Sequence, residues 1–123
     1  MSVSIKVDSR DLNKVHRRLN RLPRDITEGA QDAVKESGEW IRDDVATHVG
    51  VFRGRLKSRI RMRAIGTLGL TADVGWFDKD TYYAQFVEFG TSSITANPVL
   101  TRAGEVERTQ FPRRVKKHIE AKL

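Results

Sequence analysis

The chain contains no cysteine. That absence excludes disulfides, thiolate nucleophiles and cysteine-based zinc sites together, so packing alone must hold the fold. Histidine is scarce as well, with residues at 16, 48 and 118 only. None stands at metal-ligand spacing from another, which argues against a metal centre and predicts surface positions for all three. No apolar run is long enough to span a bilayer, and residues 1–5 lack the basic and then apolar regions of a signal peptide. The expectation is a protein neither exported by that route nor anchored in a membrane. Glycine-rich phosphate loops and nucleophile elbows are missing too. Asp43 and Asp44 are neighbours on an expected helix and diverge, so they make no acid/base pair. The reading is therefore of a protein that is not an enzyme and carries no cofactor.

What the chain does have is charge, unevenly placed. Its 123 residues suit one domain, and 32% of them are charged against 38% hydrophobic. Residues 1–50 balance nine basic side chains with nine acidic ones, whereas residues 51–66 carry six basic and no acidic ones. Residues 67–96 sum to −3 and residues 97–123 to +4, which gives the net +7. The excess is local, and so not a general device for solubility.

Along the chain, residues 2–7 alternate Val3, Ile5 and Val7 with polar residues, the pattern of a half-buried strand. Leu12, Val15, Leu19 and Leu22 then share one face of an expected helix, capped by Asp8 or Ser9 and interrupted at Pro23. A second helix opens near Asp25 with the apolar stripe Ile26, Ala30, Ala33, Val34, Ser37, Ile41 and Val45, with Trp40 at its margin. Gly29 and Gly38 weaken this helix, which predicts close approach of the sheet or of a neighbouring subunit. After Gly50 the period changes to two. Arg53, Arg55, Lys57, Arg59, Arg61 and Arg63 alternate with Leu56, Ile60, Met62 and Ala64, and from Lys57 onward this predicts a strand with one cationic face. A turn over residues 66–69 leads to an antiparallel partner containing Leu70, Ala72 and Val74. A C-terminal helix is expected from Pro98, capped by Thr95 or Asn97, broken or restarted at Phe111-Pro112, with a partly ordered basic tail from about residue 112.

Six of the nine aromatic residues lie between Trp76 and Phe89. Tyr82, Phe86 and Phe89 recur at i, i+4 and i+7, which predicts two to three helical turns ended by Gly90, with this aromatic face in the core. Glu88 must then lie at the edge of the cluster or pair with an arginine, since unpaired burial of a carboxylate is costly.

The run Tyr83-Ala84-x-x-Val87-Glu88-Phe89-Gly90-Thr91-Ser92, followed by Ala96-x-Pro98-Val99-Leu100-x-x-Ala103, resembles the signature of the minor tail component family of long-tailed phages. That family is typified by the tail-completion protein of the Hong Kong lambdoid phage. The stretch Gly54-Arg55-Leu56-Lys57-Ser58-Arg59-Ile60 is similar to the family's Gly-Arg-Leu segment and stands in the same place, after the long helix. The chain departs from the pattern at His48-Val49-Gly50, at Phe52-Arg53 and at Val99.

The resemblance implies a structural virion protein of the head-to-tail connection, joining the tail tube to the DNA-filled head and assembled in the host cytoplasm. It further implies a homo-oligomeric ring, six subunits being usual, that meets the head stopper, tail terminator and tail tube. The family-signature residues Tyr83, Phe86, Glu88, Phe89, Gly90, Thr91 and Pro98 are the expected core or interface. The six basic residues 53–63 are the expected ring-facing or DNA-facing strand. The alternative, from the basic strand and the sequence pI near 10.1, is a non-specific nucleic-acid-binding protein. The bland reading of the same residues is a solvated face partly countered by Asp73, Asp78, Asp80 and Glu88. The fold expected is α+β: a small antiparallel sheet of three or four strands packed against one long helix, with a short aromatic helix and a C-terminal helix, in a single domain spanning 1–123.

Overall fold

The computed structural model describes residues 1–7, 23–50, 54–65 and 69–122. Strands β1 (Ser2–Lys6), β2 (Arg61–Ile65) and β3 (Thr71–Gly75) form an antiparallel sheet in the order β1-β3-β2. The helices are α1 (Pro23–His48), α2 (Gly54–Arg59), α3 (Ala84–Phe89) and α4 (Val99–Lys122), with a 3-10 turn at Lys79–Thr81. The architecture is α+β, a sheet covered by two long helices. The helix expected around Leu12, Val15, Leu19 and Leu22, the residues Phe52 and Arg53, and most of the 66–69 turn lie outside the described residues.

Helix α1 forms as its period dictates. Ile26, Ala30, Ala33, Val34, Ser37, Ile41 and Val45 are all buried. Each valine or isoleucine in such a stripe stabilises the fold by roughly 1.5–3 kcal/mol relative to exposure. The stripe faces β3 and the length of α4. Of its two glycines, Gly38 meets the sheet as expected, where a Cβ would strike the side chain of Met62 on β2, whereas Gly29 is approached by neither the sheet nor another subunit but by α4, where a Cβ would stand 2.8 Å from the Ile119 Cα.

Strand alternation sorts the sheet into two faces. Ile5, Ala72 and Val74 turn toward the helices and are buried. On the other face the register aligns Ser4, Asp73 and Arg63 across all three strands. There the Ser4 hydroxyl donates to Asp73, and Arg63 lies 4.0 Å from the same carboxylate.

Two expectations about local structure are corrected. Gly54–Arg59 is a helix, and the strand starts at Arg61. Leu56 and Ile60 are both buried, and four residues is one helical turn; the Ile60 amide donates to the Leu56 carbonyl, which also accepts the Trp76 indole at 2.9 Å. Helix α4, in turn, runs through Pro112 to Lys122 without a break. A proline inside a helix costs about 3 kcal/mol. Side chains spanning that point counter the cost: Arg114 bonds Glu107 and Gln110 on one side of the proline and Glu36 of α1 across the helix interface.

That interface also corrects the expectation for His118. It is half-buried and bonded to Glu36, which accepts from Lys117 at 2.9 Å as well. These hydrogen bonds, His118 first, hold the Glu36 carboxyl down to about 2 against the opposing effect of burial. A depressed acid contributes stability that is fully present above its unfolded value of about 4.5 and is lost as pH falls toward 2. With Glu36 about one-third exposed, screening reduces the contribution to roughly 1–2 kcal/mol. Urea midpoints measured from pH 5 to pH 2 should therefore fall more steeply for the wild type than for Glu36→Gln. Parallel curves would remove Glu36 as the source.

Candidate functional site

Two groups of residues stand out in the sequence, and the structure brings them side by side at one end of the sheet. The basic segment comes first. Arg59 donates to Asp78 at 3.0 Å and approaches Asp80 at 3.5 Å, Arg61 reaches Asp78 at 3.6 Å, and Arg55 lies 4.0 Å from Asp80. Arg63 sits beside Asp73 with its guanidinium over the Phe77 ring at 4.1 Å. Asp78 is fixed by its backbone, whose carbonyl accepts from both the amide and the hydroxyl of buried Thr81. Every arginine described between 54 and 63 thus has an aspartate neighbour, and the lattice of charges is mixed in sign. Exposed pairs of this kind contribute little stability individually, but they lower the positive potential an approaching polyanion would meet. Lys57 is exposed on α2, and Arg53 lies outside the described residues.

The aromatic segment is the second group, and here the expected face is reversed. Helix α3 buries Ala84, Val87 and Glu88 and leaves Phe86 and Phe89 exposed, at 39% and 71%, and Tyr82, in the turn before it, is exposed at 72%. Tyr83 is half-buried against the core. The reason is Glu88. Its carboxylate accepts from the Leu100 amide at 2.7 Å and the Thr101 amide at 3.1 Å, two donors that the first turn of α4 cannot satisfy internally. It caps a helix eleven residues downstream, in the place expected for Thr95 or Asn97. Burial pushes the Glu88 carboxyl above its ordinary range, while the Thr101 and Leu100 amides pull it the other way. A six-residue helix has room for one inward face. With Glu88 turned inward to α4, the aromatic side chains one turn apart must point out.

The rest of the signature builds the joint between α3 and α4. Gly90 has φ +76° and donates to the Phe86 carbonyl at 2.8 Å; a Cβ there would also press against the backbone of Ile94 and Ala96. Thr91 accepts the Ser93 and Ile94 amides on its hydroxyl and closes the loop. Asn97 donates its amide to the Val87 carbonyl at 2.7 Å, and the Pro98 carbonyl accepts from Arg102 in the first turn of α4. Glu88, Gly90, Thr91 and Pro98 therefore do structural work at one hinge point, and the side chains left free are aromatic. Tyr82, outside the signature, belongs with Phe86 and Phe89. Its spacing was visible in the sequence, but its exposure depends on what Glu88 touches.

Compared with known proteins, the chain matches a family model described as Bacteriophage HK97-gp10, putative tail-component, over residues 13–90. No curated protein and no solved structure matches it. The match covers the long helix, the arginine-aspartate lattice, strands β2 and β3 and the aromatic helix, leaves out β1 and α4, and ends at Gly90. No helix among the described residues is long and apolar enough to cross a membrane.

Proposed function

The chain belongs to the HK97-gp10-like family of phage tail components, and from that premise we propose that it is a structural protein of the head-to-tail connection. It completes the tail at its head-proximal end by assembling with copies of itself, in a ring of six as the resemblance implies, and with the adjacent neck and tail proteins. The observation that carries this reading is the aromatic face of α3. Two large aromatic side chains exposed on α3, Phe86 and Phe89, with a third, Tyr82, exposed just before it, are a costly surface for a monomer to leave in water, and exposed apolar patches mark interaction sites. The pairing of Arg55, Arg59, Arg61 and Arg63 with aspartates favours contact with a surface of mixed charge over a phosphate backbone.

The test is genetic and compositional. Deleting the gene in the parent phage should give filled heads and free tails that do not join, and the chain should be found by mass spectrometry in intact particles. Infectious particles that lack the chain would refute the reading.

A further inference from the structure

Helix α4 is anchored in two places of different character, and Pro112 falls between them. Before the proline, Val99, Leu100 and Ala103 join the main core with Val34 and Ile41 of α1. Beyond it Ile119 is the one buried residue among those described, in a separate small cluster with Ile26 and Ala30 of α1 that half-buried Val115 adjoins. Proline has no amide to donate, so the Arg108 carbonyl lacks its helical partner, and a helix bends most readily at such a point.

What else binds residues 113–122 to α1 is ionic, and the signs are sorted by helix. In the described pairs between the two, the carboxylates are all on α1, at Glu28, Asp32 and Glu36, four residues apart, and their partners Arg114, Lys117, His118 and Lys122 are all on α4. Lys122 lies 3.6 Å from Asp32 and 3.9 Å from Glu28, while the other three converge on Glu36. Pairs as exposed as those of Lys117 and Lys122 hold weakly one by one and loosen as salt rises. Parting from α1 would not strand the buried Glu107, because Arg114 also bonds Glu107 and Gln110 within its own helix. A seam sorted in this way is addressed, since the cationic segment fits that stripe and is repelled by its own kind. Gly29 marks the place sterically, as it lets Ile119 reach the backbone of α1.

We propose that residues 113–122 are an exchangeable arm, about 15 Å long, that turns about Pro112 and docks on the acidic stripe of α1 in a second copy of the chain. The occupant of that stripe is already known, because it is the same segment within one chain. Exchange therefore repeats the ion pairs and the Ile119 contact and requires no new complementary surface, which makes it a low-cost route to assembly. The proposal rests on the reading that copies of the chain assemble with one another, and it names the segment that passes between them.

Two full-length variants test it. In one, Asp32→Lys and Glu36→Lys reverse the stripe; in the other, Lys117→Glu and Lys122→Glu reverse the arm. Within either protein like charges then face each other across the seam, and only in the mixture does each arm find a stripe of opposite sign, on the other protein. Sedimentation of the mixture at low salt should show complexes about ten-fold more abundant than in either variant alone, and they should dissolve at about 1 M salt, where charges are screened beyond roughly 3 Å. A mixture that stays monomeric overturns the proposal. Hydrogen exchange on the wild type decides the matter even if a variant fails to fold. Amides of residues 113–122 should exchange at one common rate, about ten-fold faster than those of residues 99–111, and Pro112→Ala should shrink the difference. Equal protection of the two halves, or a gradient running inward from the end as in ordinary fraying, would overturn the arm. The composition of particles separates this from the functional reading. Mixed complexes of a chain absent from particles would sink the virion role and leave the exchange standing, whereas a chain present in particles whose variants never combine would do the reverse.

Discussion

Replacing Arg114 by alanine should cost about 3–5 kcal/mol and give the largest loss of stability of any single substitution on α4. Glu107 is 2% exposed, and the Arg114 guanidinium supplies its two-pronged partner. The same guanidinium reaches Glu36 at 2.9 Å and lies over the Trp40 ring at 6.0 Å, so it ties α4 to α1 as well as crossing Pro112. Removing it leaves a buried carboxylate uncompensated, and most of the expected cost is that stranded charge. The double variant Arg114→Ala with Glu107→Leu should therefore recover a substantial part of the loss. Urea denaturation of the three proteins decides the matter. If Arg114→Ala loses less than about 1 kcal/mol, or if the second change makes matters worse, the charge pair is not what holds the helices.

How much of this was legible beforehand depends on the length of each element. Helix α1 carries a stripe of seven buried residues between Ile26 and Val45, and no other regular conformation puts those residues on one face. Strands β1 and β3 alternate cleanly and were equally plain. Over six residues the signal fails. Leu56 and Ile60 occupy even positions of a strand and one side of a helix equally well, and only their common burial beneath Trp76 selects the helix. In α3 the sequence offers two candidate inner faces, and hydrophobicity points to the wrong one. The deciding contact joins Glu88 to amides twelve and thirteen positions away. The Glu36, Glu107 and Arg114 cluster links positions 78 apart, and no local pattern foretells it. Continuity of α4 through Pro112 follows from that cluster and was hidden for the same reason.

The Glu88 account makes the second large prediction. Glu88→Ala removes the acceptor from two amides at the start of α4, and loss of a helix cap together with buried donors left unsatisfied should cost about 2–3 kcal/mol. Glu88→Gln should behave differently, because its side-chain carbonyl still accepts while no charge is buried. The pH dependence fixes the sign. The Glu88 carboxyl is raised above its ordinary 4.5 by burial, so the folded state holds its proton more tightly than the unfolded chain does. Stability from this group is accordingly highest below pH 4.5 and declines as pH rises through the shifted value. At neutral pH the glutamine variant should lie within about 1 kcal/mol of wild type, on either side of it, and should lack the decline. Because Glu88 also turns the aromatic face outward, Glu88→Ala should loosen α3 and weaken self-association along with stability, whereas Glu88→Gln should leave association intact. Equal stability losses in the two variants would show that carboxylate charge, and not the acceptor, is what the start of α4 requires.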